Sequence, residues 1–295
     1  MAAAPRAHDP EYHPGQWLRW GRYRVRGLHA FGGNSAVYTV DQRLGWRRRE
    51  LVALKVARPR TPDPVALVEA EIRLAREAVL LRLVSHWRLP RPIAAFREHG
   101  RANLVLEFVH GQTLESLLRD PRSGLRPPWP EGQVLALGRA LAGLLDDLHT
   151  GTGGSVPILV RDLKPGNLIV TPRGDVRLVD LGIACRLSDG ALVPANVRGH
   201  MTPGYAPPEQ CRGEGAEDAR TDLYALGAVL YRVATGWDPA HDGWTPPRPA
   251  RALNRAVSPR LETLLADLLR HSPADRPPTA HDVLRRLEVW GPGAR

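Results

Sequence analysis

The chain has two cysteines among 295 residues, Cys185 and Cys211. Two thiols cannot build a disulfide framework, and on their own they cannot close a zinc site. A reducing, cytoplasmic compartment fits this usage. Long apolar runs are missing as well. The best stretches, LVALKVA at 51–57 and LGAVLYRVA at 226–234, are short and carry charge, whereas a membrane-spanning helix needs roughly 20 apolar residues. No membrane span is expected. The N-terminal MAAAPRAHDPEYHPGQW has no apolar core behind its arginine and does not read as a secretory signal. Lysine is nearly absent: of 41 basic residues only Lys55 and Lys164 are lysine. Two positions that keep a compact ammonium in so arginine-rich a chain point to sites where a planar guanidinium cannot serve.

What is present is an ordinary globular composition, 43% hydrophobic and 24% charged. At roughly 150 residues per domain the length corresponds to about two compact units. The net charge is +10; the basic residues are spread through the chain, with one tight run at Arg47, Arg48 and Arg49 beside Trp46. That run reads as a solvated hairpin tip. No nucleic-acid motif accompanies it, so no nucleic-acid partner is expected.

Residues 1–19 are rich in Ala and Pro and read as a flexible arm. From Tyr23 the segments YRVRGLHAF, SAVYTVDQRL and ELVALKVA are short and strand-like, separated by Gly-containing or charged turns. A helix is expected from Val65 to about Val84, with Leu67, Ile72, Leu74, Val79 and Leu83 on its apolar face. RPIAAFREHG and ANLVLEFV complete a five-stranded antiparallel sheet with one helix over 20–109. Beyond Gly111 the pattern becomes helical. TLESLLRD forms a short helix, and Glu131–His149 carries Val134, Leu137, Leu141, Leu144, Leu145 and Leu148 at helical spacing. Short strands follow at ILV, LIV and VRLV, and helices return at 220–235, 258–270 and 279–290. The expected fold class is α+β, with a strand-rich first part and a mainly helical second part over 110–290, then a short tail.

The most specific signal is VRDLKPGNLIV at 160–170, followed by VRLVDLGIA at 176–184. Asp162, Asn167 and Asp180, with Lys164, sit on tight loops between short strands. Hard oxygen ligands of this kind suit Mg²⁺ bound together with a nucleotide phosphate. These segments resemble the catalytic loop H-R-D-L-K-P-x-N and the D-F-G motif of eukaryotic-like serine/threonine protein kinases of bacteria. VALK at 52–55 resembles the family's V-A-I-K strand, and the resemblance covers about residues 20–290.

The resemblance implies a bilobal kinase fold and transfer of the γ-phosphoryl group of ATP to Ser/Thr hydroxyls of protein substrates. In it Asp162 accepts the substrate proton, Lys164 neutralises the moving phosphoryl group, and Asn167 and Asp180 hold Mg²⁺, with Mn²⁺ as a substitute. Lys55 binds the α- and β-phosphates and pairs with Glu77; Glu69 and Glu71 are the fallback partners. Ala53 lies on the same strand, Leu106 is the gatekeeper, and the backbone of Glu107 and Val109 faces adenine. Thr202 resembles the Thr that bonds the catalytic Asp and Lys. Glu209, in the A-P-E-like Pro207-Pro208-Glu209, is expected to pair with Arg276, and Asp222 to anchor the catalytic loop.

Several positions depart from the pattern. The phosphate-covering loop reads Ala30, Gly32, Ser35 and Val37 in place of G-x-G-x-x-G-x-V, with Gly33 beside the one retained glycine. Val160 replaces the catalytic-loop His and Leu181 the Phe after Asp180; both substitutions are apolar and keep hydrophobic packing. This erosion supports an alternative, a pseudokinase scaffold or nucleotide-binding regulator with little or no transfer. Ser188 is the one evident phosphorylation candidate between Gly182 and Pro207 once Thr202 and Tyr205 are taken as structural, and Arg161 is available to receive a phosphate. His149 reads as a helix cap. The Pro-rich stretch after Gly236 reads as non-helical. Substrate identity, activating signal and oligomeric state have no sequence signature.

Overall fold

The computed structural model describes residues 12–45, 47–59, 63–119, 127–187, 201–212, 217–240 and 248–289. Trp46 and Ser188 lie outside the described residues. Two compact units emerge: residues 1–85 with 90–109, and residues 86–89 with 110–295.

The first unit is built on an antiparallel sheet of β1 (Trp17–Leu18), β2 (Tyr23–Phe31), β3 (Ser35–Arg43), β4 (Arg49–Ala57), β5 (Pro92–Glu98) and β6 (Arg101–Glu107), in the order β1-β2-β3-β4-β6-β5. β-branched and aromatic side chains alternate along β2 to β4, so Tyr23, Val25, Tyr38, Val40, Val52 and Leu54 all enter one core. The sheet has six strands where five are expected, because β1 pairs with β2 through only two residues, too short for a periodic signal. The flexible arm expected over residues 1–19 is corrected for residues 12–19, residues 1–11 lying outside the described residues. Tyr12 is buried, its hydroxyl donates to Asn103 Oδ1 at 2.9 Å, and its ring packs edge-on against Tyr38.

Helix α1 (Pro64–Leu83) starts where Asp63 accepts the N–H groups of Val65 and Ala66 and Pro64 supplies a preset φ. It turns a different face inward from the expected one. Ile72, Val79 and Leu83 are exposed, while Ala70, Arg73, Leu74, Glu77, Ala78 and Leu81 are buried. The segment is apolar on most sides, and its inward face is decided by two charged residues with partners, which a hydrophobic period cannot register.

The second unit contains α2 (Leu114–Leu118), α3 (Glu131–Thr150), α4 (Pro208–Arg212), α5 (Ala219–Thr235), α6 (Ala250–Leu253), α7 (Pro259–Leu268) and α8 (Ala280–Glu288). Helix α5 is buried from Thr221 to Thr235 and packs against α3 and α7. α3 buries all six of its expected apolar positions. The short α6 falls inside the Pro-rich stretch expected to be non-helical; it begins directly after Pro249, where a missing N–H costs nothing. Two small ladders carry the loops of interest: β7 (Gln112–Thr113), β9 (Leu168–Val170) and β10 (Val176–Leu178), and β8 (Ile158–Leu159) paired with β11 (Cys185–Arg186).

Candidate active site

In the first unit, register brings the predicted residues together. Ala30 lies opposite Val37, Val37 opposite Lys55, and Lys55 opposite Leu104, a single row across β2, β3, β4 and β6. Ala53, two residues from Lys55 and so on the same face, lies opposite Leu106. Lys55 Nζ donates to both carboxylate oxygens of Glu77, at 2.9 and 2.7 Å, and both side chains are over 90% buried. Two turns earlier on α1, Glu69 pairs with Arg73, and Glu71 pairs with Arg97 and accepts from the Ala102 N–H. Glu77 is therefore the partner and the fallbacks are otherwise engaged.

The β2–β3 hairpin is closed by a 2.7 Å bond from the Gly32 N–H to the Ser35 carbonyl. A Cβ at position 32 would lie 3.1 Å from Ser35 Oγ and 3.2 Å from its carbonyl oxygen, so a side chain there would crowd the turn. Ala30 and Ser35 do not: both sit in strands and neither has a positive φ. The Glu107 N–H donates to the Arg91 carbonyl at 2.9 Å, which withdraws it from any base. Leu106 and Val109 are buried.

In the second unit the catalytic-loop segment is held from beneath by α5. Asp222, fully buried, accepts the N–H groups of Val160 at 2.8 Å and Arg161 at 2.7 Å, and its Oδ2 also meets His149 Nε2 at 2.8 Å. His149 thus bonds the anchor of the loop instead of capping α3, whose end is closed by Gly151 at φ 70°. Val160 and Leu181, the two apolar replacements, are both buried.

Arg161 has φ 66°, a left-handed conformation that costs an L-residue roughly 1–2 kcal/mol. It is over-determined by its neighbours. Asp222 takes its N–H, Gln210 Nε2 donates to its carbonyl at 2.9 Å, and its guanidinium forms two bonds to Glu217, at 2.7 and 2.9 Å. The Arg161 side chain is 0% exposed and that of Glu217 5%. The expectation that Arg161 stands ready for a phosphate is corrected: its charge is already matched by a carboxylate 56 residues away in sequence.

The strained residue delivers Asp162. Its Oδ1 accepts from Thr202 Oγ1 at 2.6 Å and Lys164 Nζ at 3.1 Å; its Oδ2 accepts from Lys164 at 2.8 Å and Asn167 Nδ2 at 2.9 Å. Lys164 also donates to Thr202 Oγ1 at 2.8 Å. Four donor contacts fix the carboxylate, and Asp162 and Lys164 remain partly open at 18% and 28% exposure. Asn167, on a 3-10 turn after Pro165, gives its amide nitrogen to Asp162, leaving Oδ1 as the atom of that group with metal-ligand character. Its carbonyl accepts the Val179 N–H, next to Asp180, and Asp180 Oδ1 accepts the Gly182 N–H at 2.8 Å.

Thr202 is positioned by a second buried cluster. Gly204 has φ 84° and packs against the Pro239 backbone, and the Tyr205 hydroxyl donates to Asp238 and accepts from Arg232 at 2.7 Å. Arg232 also binds Glu115 through both nitrogens. Burial lowers the Arg232 pKa, but the bonds to Glu115, Tyr205 and Asp238 outweigh it and hold the guanidinium above its ordinary value. Farther along, Glu209 and Arg276 form two bonds at 2.7 and 3.0 Å. Glu217, His149 and Arg232 have no motif of their own; the nearest sequence signal is that each is a polar residue in or beside an apolar helical segment, whereas Gln210 follows the A-P-E-like Glu209.

A sequence model of the protein kinase domain matches residues 31–287. The chain belongs to the protein kinase domain family. The kinase domain is 32% identical over 96% of its length to "Serine/threonine-protein kinase pkn3" of Myxococcus xanthus, and 34% identical over 76% to "Serine/threonine-protein kinase PknA" of Mycobacterium tuberculosis. It spans 52% and 49% of those proteins, about half the length of each. A solved structure, "PpkA-294 apo form", aligns with a TM-score of 0.70 at 22% identity, covering 94% of this chain and 99% of the other, a likeness of fold. Among the described residues, no helix of this kinase domain is long and apolar enough to cross a membrane.

Proposed function

We propose that the chain transfers the γ-phosphoryl group of ATP to Ser or Thr hydroxyls of protein substrates inside the cell. The observation that carries this reading is the Asp162–Lys164–Thr202–Asn167 constellation, in which the Asp162 carboxylate is held by Thr202, Lys164 and Asn167 and stays partly open. Phosphoryl transfer has a loose transition state, so the protein's part is mainly positioning and charge neutralisation. Asp162 orients the acceptor hydroxyl and takes its proton. Lys164, beside it, neutralises charge on the moving phosphoryl oxygens, and Thr202 keeps the two in register. Lys55, fixed by Glu77, is the cation for the α- and β-phosphates. Ala30, Gly32, Gly33, Ser35 and Val37 form the phosphate-covering hairpin, and Ala53, Leu106, the Glu107 carbonyl and Val109 provide the base site.

The donor set fits a hard divalent cation. Asn167 Oδ1 and the Asp180 carboxylate are oxygen ligands. Among the described residues no three His, Cys, Asp or Glu side chains cluster tightly enough to hold a metal unaided. A cation there needs further oxygens, as phosphates supply, and Mg²⁺ is the natural choice with Mn²⁺ as substitute. When bound, it neutralises phosphate charge and orients the leaving group. Asp180→Asn tests this assignment: Mg²⁺-dependent turnover should fall by about 100-fold or more while the unfolding transition stays in place. Undiminished turnover with unchanged metal dependence contradicts it.

A further inference from the structure

The positive charge of the chain is concentrated where the kinase chemistry has no use for it. Residues 12–49 hold eight arginines and one acid, Asp41, a balance of +7 out of the chain's +10. The sheet register gathers them. Trp17 lies opposite Arg24, Arg24 opposite Asp41, Arg43 opposite Arg49, and the Arg43 N–H donates to the Arg22 carbonyl. Arg24 and Arg43 both stack on the Trp17 ring, at 6.0 and 5.4 Å from its centroid. Arg22, Arg24, Arg26, Arg43, Arg47, Arg48 and Arg49 are all exposed. The neighbouring acids offset only part of the patch: Asp41 neutralises Arg26 at 2.7 Å, Glu98 accepts the Arg19 N–H at 2.8 Å, and Glu50 is exposed next to Arg49.

Two adjacent turns at this end of the sheet present apolar tips. Trp20 is 99% exposed and Leu44 42%. The Trp20 turn is held in place at the expense of backbone strain. Arg19 and Trp20 have φ values of 50° and 54°, which non-glycine residues rarely adopt. The turn is tied down by the Arg19 N–H on Glu98, by the Arg19 guanidinium over Phe96 at 5.4 Å, and by the Arg22 N–H on the Leu18 carbonyl. The positive φ values close the β1–β2 hairpin, whose partners are Leu18 and Tyr23, but the hairpin does not require an indole at its tip: most turns carry Gly, Asn or Asp there.

We propose that this face docks on an anionic lipid bilayer, with Trp20 and Leu44 entering the interface and the arginine ring bonding lipid phosphates. Tryptophan settles at the headgroup level, and each basic residue near an anionic surface adds about fivefold to affinity. A nucleic acid would find arginines and indoles here too, but the aliphatic tip beside Trp20 offers no base a stacking partner.

Co-sedimentation of the full chain with phosphatidylcholine vesicles, with or without phosphatidylserine at about one lipid in four, tests the proposal. Binding to the anionic vesicles alone, weakened by salt, is expected. Arg47→Gln, Arg48→Gln and Arg49→Gln together should weaken it by about 100-fold. Trp20→Gly, which also relieves the strain, should reduce quenching of tryptophan fluorescence by brominated lipid and reduce binding by tenfold or more, with turnover on a soluble acceptor unchanged. Equal pelleting with neutral vesicles, no pelleting, binding to single-stranded DNA but not to vesicles, self-association through Trp20, or unaltered lipid binding and quenching in Trp20→Gly would each overturn it.

Discussion

Removing the carboxylate of Glu217 isolates what the Arg161 pair contributes. In Glu217→Ala the guanidinium of Arg161, 0% exposed, loses two charge-assisted bonds and keeps its 3.2 Å bond to the Ile183 carbonyl. Breaking a buried ion pair from one side costs about 3–5 kcal/mol, because the remaining charge stays in a poorly solvating interior. Total stabilities run at about 5–15 kcal/mol, so the loss is a large share, and thermal unfolding should move down by about 6 °C or more. Replacing both partners with apolar residues of similar size, Arg161→Met with Glu217→Leu, removes the stranded charge and should recover most of that shift. The left-handed backbone at 161 costs Met about what it costs Arg, and Asp222 and Gln210 still hold it through main-chain atoms. Asp162 therefore stays in place, and phosphoryl transfer should survive in the double variant. Because Glu217 already matches Arg161, Ser188→Ala should also keep most of the activity. Melting curves and initial rates for the two Glu217 variants decide the matter. If Glu217→Ala melts with the wild type, or the double variant is as unstable as the single, the charge-matching account of Arg161 is wrong.

Gly204→Ala should cut turnover by tenfold or more and lower Tm, since its Cβ would lie 2.4 Å from the Pro239 carbonyl at a φ of 84°; an unchanged rate would show that the turn between Thr202 and Tyr205 does not position the site. Restoring the glycines, Ala30→Gly with Ser35→Gly, should change ATP affinity by less than about tenfold in calorimetric titration, because neither position has a positive φ to relieve. No binding by the wild type with strong binding by the double variant would favour a scaffold over an enzyme. Lys55→Arg should lower kcat/KM by about 100-fold, as a planar guanidinium cannot reproduce the ammonium seated on Glu77; full activity in that variant would refute the significance of the two lysines.

The catalytic loop was legible because its residues are close in sequence: Asp162, Lys164 and Asn167 lie within six positions, and tight turns leave few ways to arrange them. The pairing of Lys55 with Glu77 was legible only through the family resemblance of their segments, since Glu69 and Glu71 lie on the same helix. The inward face of α1 was not legible, since Arg73 and Glu77 take buried positions that a hydrophobic pattern assigns to Ile72 and Val79. Arg161 and Glu217, or Glu115 and Arg232, meet only through tertiary folding, and a lone charged residue in a sequence does not reveal whether it will be solvated or paired. Tyr12 and β1 were hidden for a third reason: an Ala- and Pro-rich composition masks a short pairing fixed by one buried ring and two strand residues.

The most direct measurement is transfer of label from [γ-³²P]ATP to a generic protein acceptor in the presence of Mg²⁺, with phosphoamino-acid analysis of the product, for wild type beside Asp162→Asn. The assignment of Asp162 as the residue that takes the hydroxyl proton predicts phosphoserine or phosphothreonine from the wild type and a rate lower by about 100-fold or more in the variant. Absence of transfer by the wild type, label on tyrosine alone, or equal rates for the two proteins would contradict it.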